Sequence, residues 1–192
     1  MVVSFFGEGS FRVQNGELSV LVDPTNNRLK ADVVLRTITP ADVSPMNEEY
    51  SGQNISFPGE YEIKGIEITG VPILGESGEN FLKTAYLVRW EDVSLAFLGH
   101  LSKPLLPEVA DGLGEPDVLF IPVGGGHFLS AEAATKVVKQ FEPSVVIPSF
   151  FKNIGEFGKA MGQKVISQDK FVFRAKDLME GGMRIVALES KN

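Results

Sequence analysis

Two unbroken apolar runs, residues 118–123 (VLFIPV) and 145–148 (VVIP), constrain the fold of this chain more than any other feature. A strand with one face in water alternates apolar and polar side chains, whereas these runs offer solvent no polar side, so both strands are covered on both faces. Each follows a helical pattern, over 105–113 and 131–141. Ser130 is placed to cap the second helix, with Glu132 in its first turn, where the helix dipole favours negative charge. Helix–strand units of this kind build a parallel sheet with helices against its outside.

The first half reads differently. Strands are predicted at 2–6, 11–14, 18–22 and 33–35, with a hairpin turn at Asn15–Gly16, which suggests an antiparallel meander. A polar, irregular stretch over 45–54 precedes further strands at 60–63, 66–72, 84–90 and 93–98, separated by Lys64–Gly65 and Glu91–Asp92. Residues 76–80, with two glutamates and a glycine, are predicted to form an exposed loop. A third helix over 153–161 and strands over 170–174 and 183–188 complete the pattern. Strand meander, helix–strand units and closing strands together suit two sheets packed face to face with helices outside, an αββα sandwich formed by residues 1–192 as one domain. Neither a repeat nor a linker divides the chain.

Composition narrows function. With 192 residues and 43% hydrophobic content the chain is long enough for one substantial core. Its formal charge of −7 repels a phosphate backbone, and no window concentrates Lys and Arg, so nucleic acid is not the expected partner. The start MVVSFFGEGS lacks a basic, apolar leader and no segment reaches membrane-spanning length, which makes a cytoplasmic protein without membrane contact the expectation. There are two histidines, His100 and His127, and no cysteine. A catalytic zinc usually takes three protein ligands of the His, Cys or carboxylate type. A three-histidine site is therefore excluded, leaving a carboxylate-rich site for a harder metal, or no metal.

Seven segments occur in a recognisable order: FFGEGSFRV (5–13), VLVDP (20–24), ADVVLRTITPADV (31–43), FPGEYEI (57–63) with Gly65 and Ile66, LAFLGH (95–100), FIPVGG (120–125) and VIPSFF (146–151). Together they resemble the small UlaG-like branch of the metallo-β-lactamase superfamily over nearly the whole chain. The resemblance implies that superfamily's αββα fold, a zinc or manganese centre and metal-dependent hydrolysis. It also implies where ligands would stand. Ile38, Pro40 and Val43 occupy positions of three histidines in a pattern of the type ADxVLxTHxHxDH, of which Thr37 and Asp42 remain. Phe97 and Phe150 occupy two more histidine positions, His100 stands in place of a bridging aspartate, and the loop LGESGEN after Ile73 holds no histidine.

Asp23, Ile38, Pro40, Asp42, Val43, Phe97, His100 and Phe150 are accordingly expected to outline a remnant pocket, with Ile38, Phe97 and Phe150 close together and packed as core. Asp23 reads as a strand-end carboxylate bracing backbone amides. Asp42 reads as a turn acceptor or a leftover ligand. His100 is the polar residue best placed for chemistry, or a hydrogen-bonded structural residue. His127 follows three glycines that open a helix, as phosphate loops do, but the spacing matches neither a dinucleotide nor a P-loop pattern. Ser102 and Ser149 lack a nucleophile-elbow motif. The function expected is a zinc-free, non-catalytic binding or structural role with no cofactor, directed at a protein, a small molecule or a second copy of the chain. The alternative is a hydrolase with a shifted, carboxylate-rich metal site built from Asp42, His100 and Glu60, using manganese or magnesium.

Overall fold

The structure is a computed structural model that describes residues 1–26, 28–43, 54–165, 167–179 and 182–191. Two sheets face each other across an apolar core. In the smaller one, β1 (Val2–Phe5), β2 (Phe11–Asn15) and β3 (Leu18–Val22) form the expected antiparallel meander, with Phe11 opposite Val22 and Asn15 opposite Leu18. Gly16, at φ +59°, supplies the left-handed residue of that hairpin turn. The meander then ends. β4 (Val33–Leu35) runs parallel to β3, and β6 (Asn54–Ile55) parallel to β4. The chain leaves β3 at Val22 and re-enters the sheet at Val33, opposite Val20, the longer return that a parallel pair requires. Asp23 N–H then bonds Leu35 O at 2.9 Å, locking the two strand ends together. The predicted irregular stretch over 45–54 lies outside the described residues except for Asn54.

The larger sheet contains β7 (Gly59–Ile63), β8 (Ile66–Pro72), β9 (Phe81–Trp90) and β10 (Val93–Phe97) as an antiparallel run, continued by β11 (Val118–Pro122), β12 (Val145–Ser149) and β15 (Arg184–Ile185) in parallel. Helices α1 (Pro107–Leu113), α2 (Ala131–Phe141) and α3 (Ile154–Ala160) pack on its outer face. The unalternating run of β11 is used as read: Val118 and Phe120 enter the core between the sheets, while Leu119 and Ile121 join the helix-side core. Ser130 caps α2, its hydroxyl accepting from Ala133 N–H at 3.2 Å, and Asn153 caps α3, its amide oxygen accepting from Gly155 N–H at 3.0 Å. The first helix starts at Pro107, two residues later than predicted, because proline fits the first helical position.

Other differences follow from length. β5 (Ile38–Pro40) pairs with the start of β9, Ile38 opposite Lys83 and Pro40 opposite Phe81, and so extends β9 three residues before the predicted Thr84. The expected closing strands are shorter: β14 (Phe171–Val172) edges β1 and is followed by helix α4 (Ala175–Met179). The stretch 183–188 divides between β15 and β16 (Ala187–Leu188), the latter pairing with β13 (Ser167–Gln168). Among the described residues, no helix is long and apolar enough to cross a membrane.

Candidate functional site

Four chain segments leaving strand ends meet at one edge of the sandwich: Asp23 after β3, Thr37 after β4, His100 after β10 and Phe150 after β12. Asp23 accepts two bonds from Thr37, from the backbone N–H to Oδ1 at 2.8 Å and from the hydroxyl to Oδ2 at 2.5 Å. The same hydroxyl lies 2.9 Å from His100 Nδ1. A threonine hydroxyl has one proton, and with Asp23 taking it, the imidazole must donate from Nδ1. Nε2 is left with its lone pair. Gly99, at φ +50°, makes the approach possible, since a Cβ there would overlap the Thr37 side chain.

Burial sets the charges. Asp23 is only 10% exposed, and burial pushes its carboxyl up to about 6, with the Thr37 bonds and Arg36 opposing. Burial also pushes His100 down to about 4, helped by the charge of Lys83. At neutral pH Asp23 is therefore ionised and His100 neutral, so their 3.7 Å separation is not a charge pair.

Aromatic rings fill much of the remaining space. Phe150 stacks on Phe128 with centroids 4.0 Å apart and lies 5.0 Å from the His100 ring. Gly9 and Gly124 are needed there, because a Cβ on either would overlap Phe150. A cleft of about 180 Å³ remains, bordered by Asp23, Ile38, His100 and Phe150 together with Arg36 and Glu8. Phe97 is not among its lining residues. It points into the core between the sheets, 1% exposed, stacked on Phe120 at 4.3 Å, which in turn meets Phe11 at 4.9 Å. Of the three residues expected to cluster, Ile38 and Phe150 share the cleft, while Phe97 is held in the core by the alternation of β10. Pro40 is exposed on β5, and Val43 N–H bonds Pro40 O at 3.2 Å, which makes exposed Asp42 part of a turn. Glu60 is exposed on β7 opposite Thr69. Among the described residues no three His, Cys, Asp or Glu side chains gather as a metal would require, so Asp42, His100 and Glu60 form no such group. His127 is exposed beside Gly125 and Gly126, both at positive φ.

A second network was not legible in sequence. Glu76, in the loop expected to be exposed, has a side chain only 5% exposed. It accepts from Ser102 N–H at 2.9 Å, Ser102 Oγ at 2.7 Å, Lys103 N–H at 2.7 Å and Lys83 Nζ at 2.7 Å. Lys83 Nζ also donates to His100 O at 2.7 Å. Burial alone would raise the Glu76 carboxyl, but bonds from Lys83, Ser102 and Lys103 together hold it below the usual carboxylate range. The loop after β8 is thus tied to the backbone behind His100. A lone glutamate in a polar loop looks the same in sequence whether it faces solvent or turns inward.

Comparison with known proteins agrees with this architecture. A metal-dependent hydrolase of Methanopyrus kandleri is 28% identical over 107 residues, which are 52% of this chain and 46% of that relative. The match thus spans less than half the relative's length. Among solved structures, a protein of Thermotoga maritima described as a Zn-dependent hydrolase of the metallo-β-lactamase superfamily superposes with a TM-score of 0.80 at 20% identity, over 99% of each chain. The metallo-β-lactamase fold protein YhfI of Bacillus subtilis superposes with a TM-score of 0.66 at 12% identity, over 98% of this chain and 96% of its own. Likeness at these identities speaks for the fold. A family model described as the beta-lactamase superfamily domain matches residues 2–149, and the chain belongs to that superfamily.

Proposed function

We propose that this protein is a zinc-independent member of the superfamily that acts by binding or as a structural partner, not by metal-assisted hydrolysis. The carrying observation is how the polar groups of the cleft are spent. Both oxygens of Asp23 are bonded to Thr37, and Nδ1 of His100 is committed to the same hydroxyl, while Ile38 and Phe150 supply the neighbouring walls. A catalytic metal needs several ligands converging on one point with an open coordination position. The described residues of this cleft do not fit such a centre. The hydrolytic activities named for the relatives belong to those proteins, and fold alone does not transfer them. A cytoplasmic role with a protein, small-molecule or self partner, and without nucleic acid, completes the proposal.

Metal analysis of purified, dialysed protein tests it, together with a panel of phosphoester, lactone and amide substrates assayed with added zinc, manganese or magnesium. The expected result is substoichiometric metal and no metal-dependent turnover. Stoichiometric metal surviving dialysis, or turnover that disappears on substitution of Asp42, His100 or Glu60, would establish the hydrolase reading instead.

A further inference from the structure

A second cleft, of about 350 Å³, shares Pro24 and Thr25 with the His100 cleft and is lined differently. Its polar walls come from Ser10, Thr25, Asn26, Arg28, Ser190 and Lys191, and no Asp or Glu is among its lining residues. The chain as a whole carries 25 acidic and 18 basic residues, so a cleft whose described lining holds two cations and no Asp or Glu runs against its composition. Neither cation is engaged in an ion pair among the described residues, and Lys191 Nζ donates only to Ser4 Oγ at 2.9 Å. The walls are held by long-range contacts: Lys191 N–H bonds Phe5 O at 2.8 Å, and Phe5 bridges Ser190.

Ser10 gives an independent sign. It is 1% exposed, and its Oγ is buried with no hydrogen-bond partner among the described residues. Its backbone is fixed in a turn, Ser10 N–H bonding Gly7 O at 2.9 Å and Phe6 N–H bonding Ser10 O at 2.8 Å. A buried hydroxyl left unpaired costs stability, so a donor held in that state in the wall of a cleft that also carries two cations marks a place where an acceptor is missing.

We propose that this cleft binds a phosphate group carried on a small molecule. Two cations balance a dianion, and the hydroxyls of Ser10, Thr25 and Ser190 with the Asn26 amide offer neutral donors to a tetrahedral group with many acceptor positions. Phe6 and Leu29, which also line the cleft, supply apolar surface for the organic part.

Titration of the full chain with inorganic phosphate and with pyrophosphate, followed by backbone amide chemical shifts at constant ionic strength, tests the site, with acetate and chloride as controls. Saturable shifts at Ser10, Thr25, Asn26, Ser190 and Lys191 are expected with the phosphates and not with the controls. Arg28→Ala with Lys191→Ala, both exposed, should weaken binding about tenfold or more without changing the circular dichroism spectrum. Ser10→Ala should weaken phosphate binding while leaving the melting temperature unchanged or higher, because it removes an unpaired hydroxyl. No saturable response in the millimolar range, an equal response to acetate, or affinity unchanged by the double substitution overturns the assignment.

Discussion

Thr37 and His100, 63 residues apart in sequence, are joined by a hydrogen bond of 2.9 Å between the threonine hydroxyl and Nδ1 of the imidazole. Because that hydroxyl spends its proton on Asp23, the bond fixes the histidine tautomer and links three loops. The cross-link is made by a carboxylate, a hydroxyl and a ring nitrogen.

Thr37→Val keeps the shape of the side chain and removes the link. Buried Asp23 then loses the shorter of its bonds from Thr37 and His100 loses its acceptor, which should destabilise the fold by about 3 kcal/mol. Thr37→Ser should recover most of that. Urea denaturation at pH 8 measures both, and a loss below about 1 kcal/mol for the valine variant would show that the link carries little energy.

The two shifted groups oppose each other in their effect on stability. Asp23, raised from 3.8 to about 6 on folding, binds its proton more tightly in the folded state, so its contribution falls as pH rises through that window. His100, lowered from 6.5 to about 4, leaves the unfolded state with more bound protons between those values, so its contribution grows with rising pH. Wild type should therefore be nearly flat between these limits. His100→Gln should lose stability as pH rises from 4 to 6, and Asp23→Asn should gain it from 4 to 6.5, each with a limiting slope of about 1.4 kcal/mol per pH unit. Melting temperatures of the three proteins across this range provide the check, and parallel slopes in the two variants would contradict the assignment.

Glu76→Ala removes the carboxylate from half-buried Lys83, which among the described residues keeps only its bond to His100 O, and takes the acceptor from the Ser102 and Lys103 donors. Removing one member of a buried ion pair costs on the order of 3–5 kcal/mol. A destabilisation at the lower end of that range is expected in denaturant titration, accompanied by loss of hydrogen-exchange protection at Ser102 and Lys103. Glu76→Gln, which keeps acceptor capacity, should cost less.

Chelation should have no effect on stability. A bound structural or catalytic metal adds to the folded state by mass action, and its removal lowers the melting temperature. Scanning calorimetry with and without EDTA should give superimposable transitions. A drop of several degrees would show that a metal binds.

Much of the sandwich follows from local pattern. Alternation in β2 and in β8, and the two-sided apolar runs of β11 and β12, are properties of adjacent residues, and burial obeys them because a strand's faces repeat every two residues. The replaced histidine positions were equally legible, since the side chains of isoleucine, proline, valine and phenylalanine carry no donor atoms wherever they are placed. β5, β6, β13 and α4 were not, because segments of two to five residues are too short for periodicity and exist only through their partners. Only tertiary structure decided that β4 runs parallel to β3, that Phe97 joins the core while Phe150 walls the cleft, and that Glu76 turns inward to hold Lys83 and the loop behind His100. It also gathered Arg28 and Lys191, from opposite ends of the sequence, into one cleft, where no window of the sequence holds a basic patch. The cause is the same in each case: the energies that choose between these arrangements come from groups tens of residues apart, and they arise only when the fold brings those groups together.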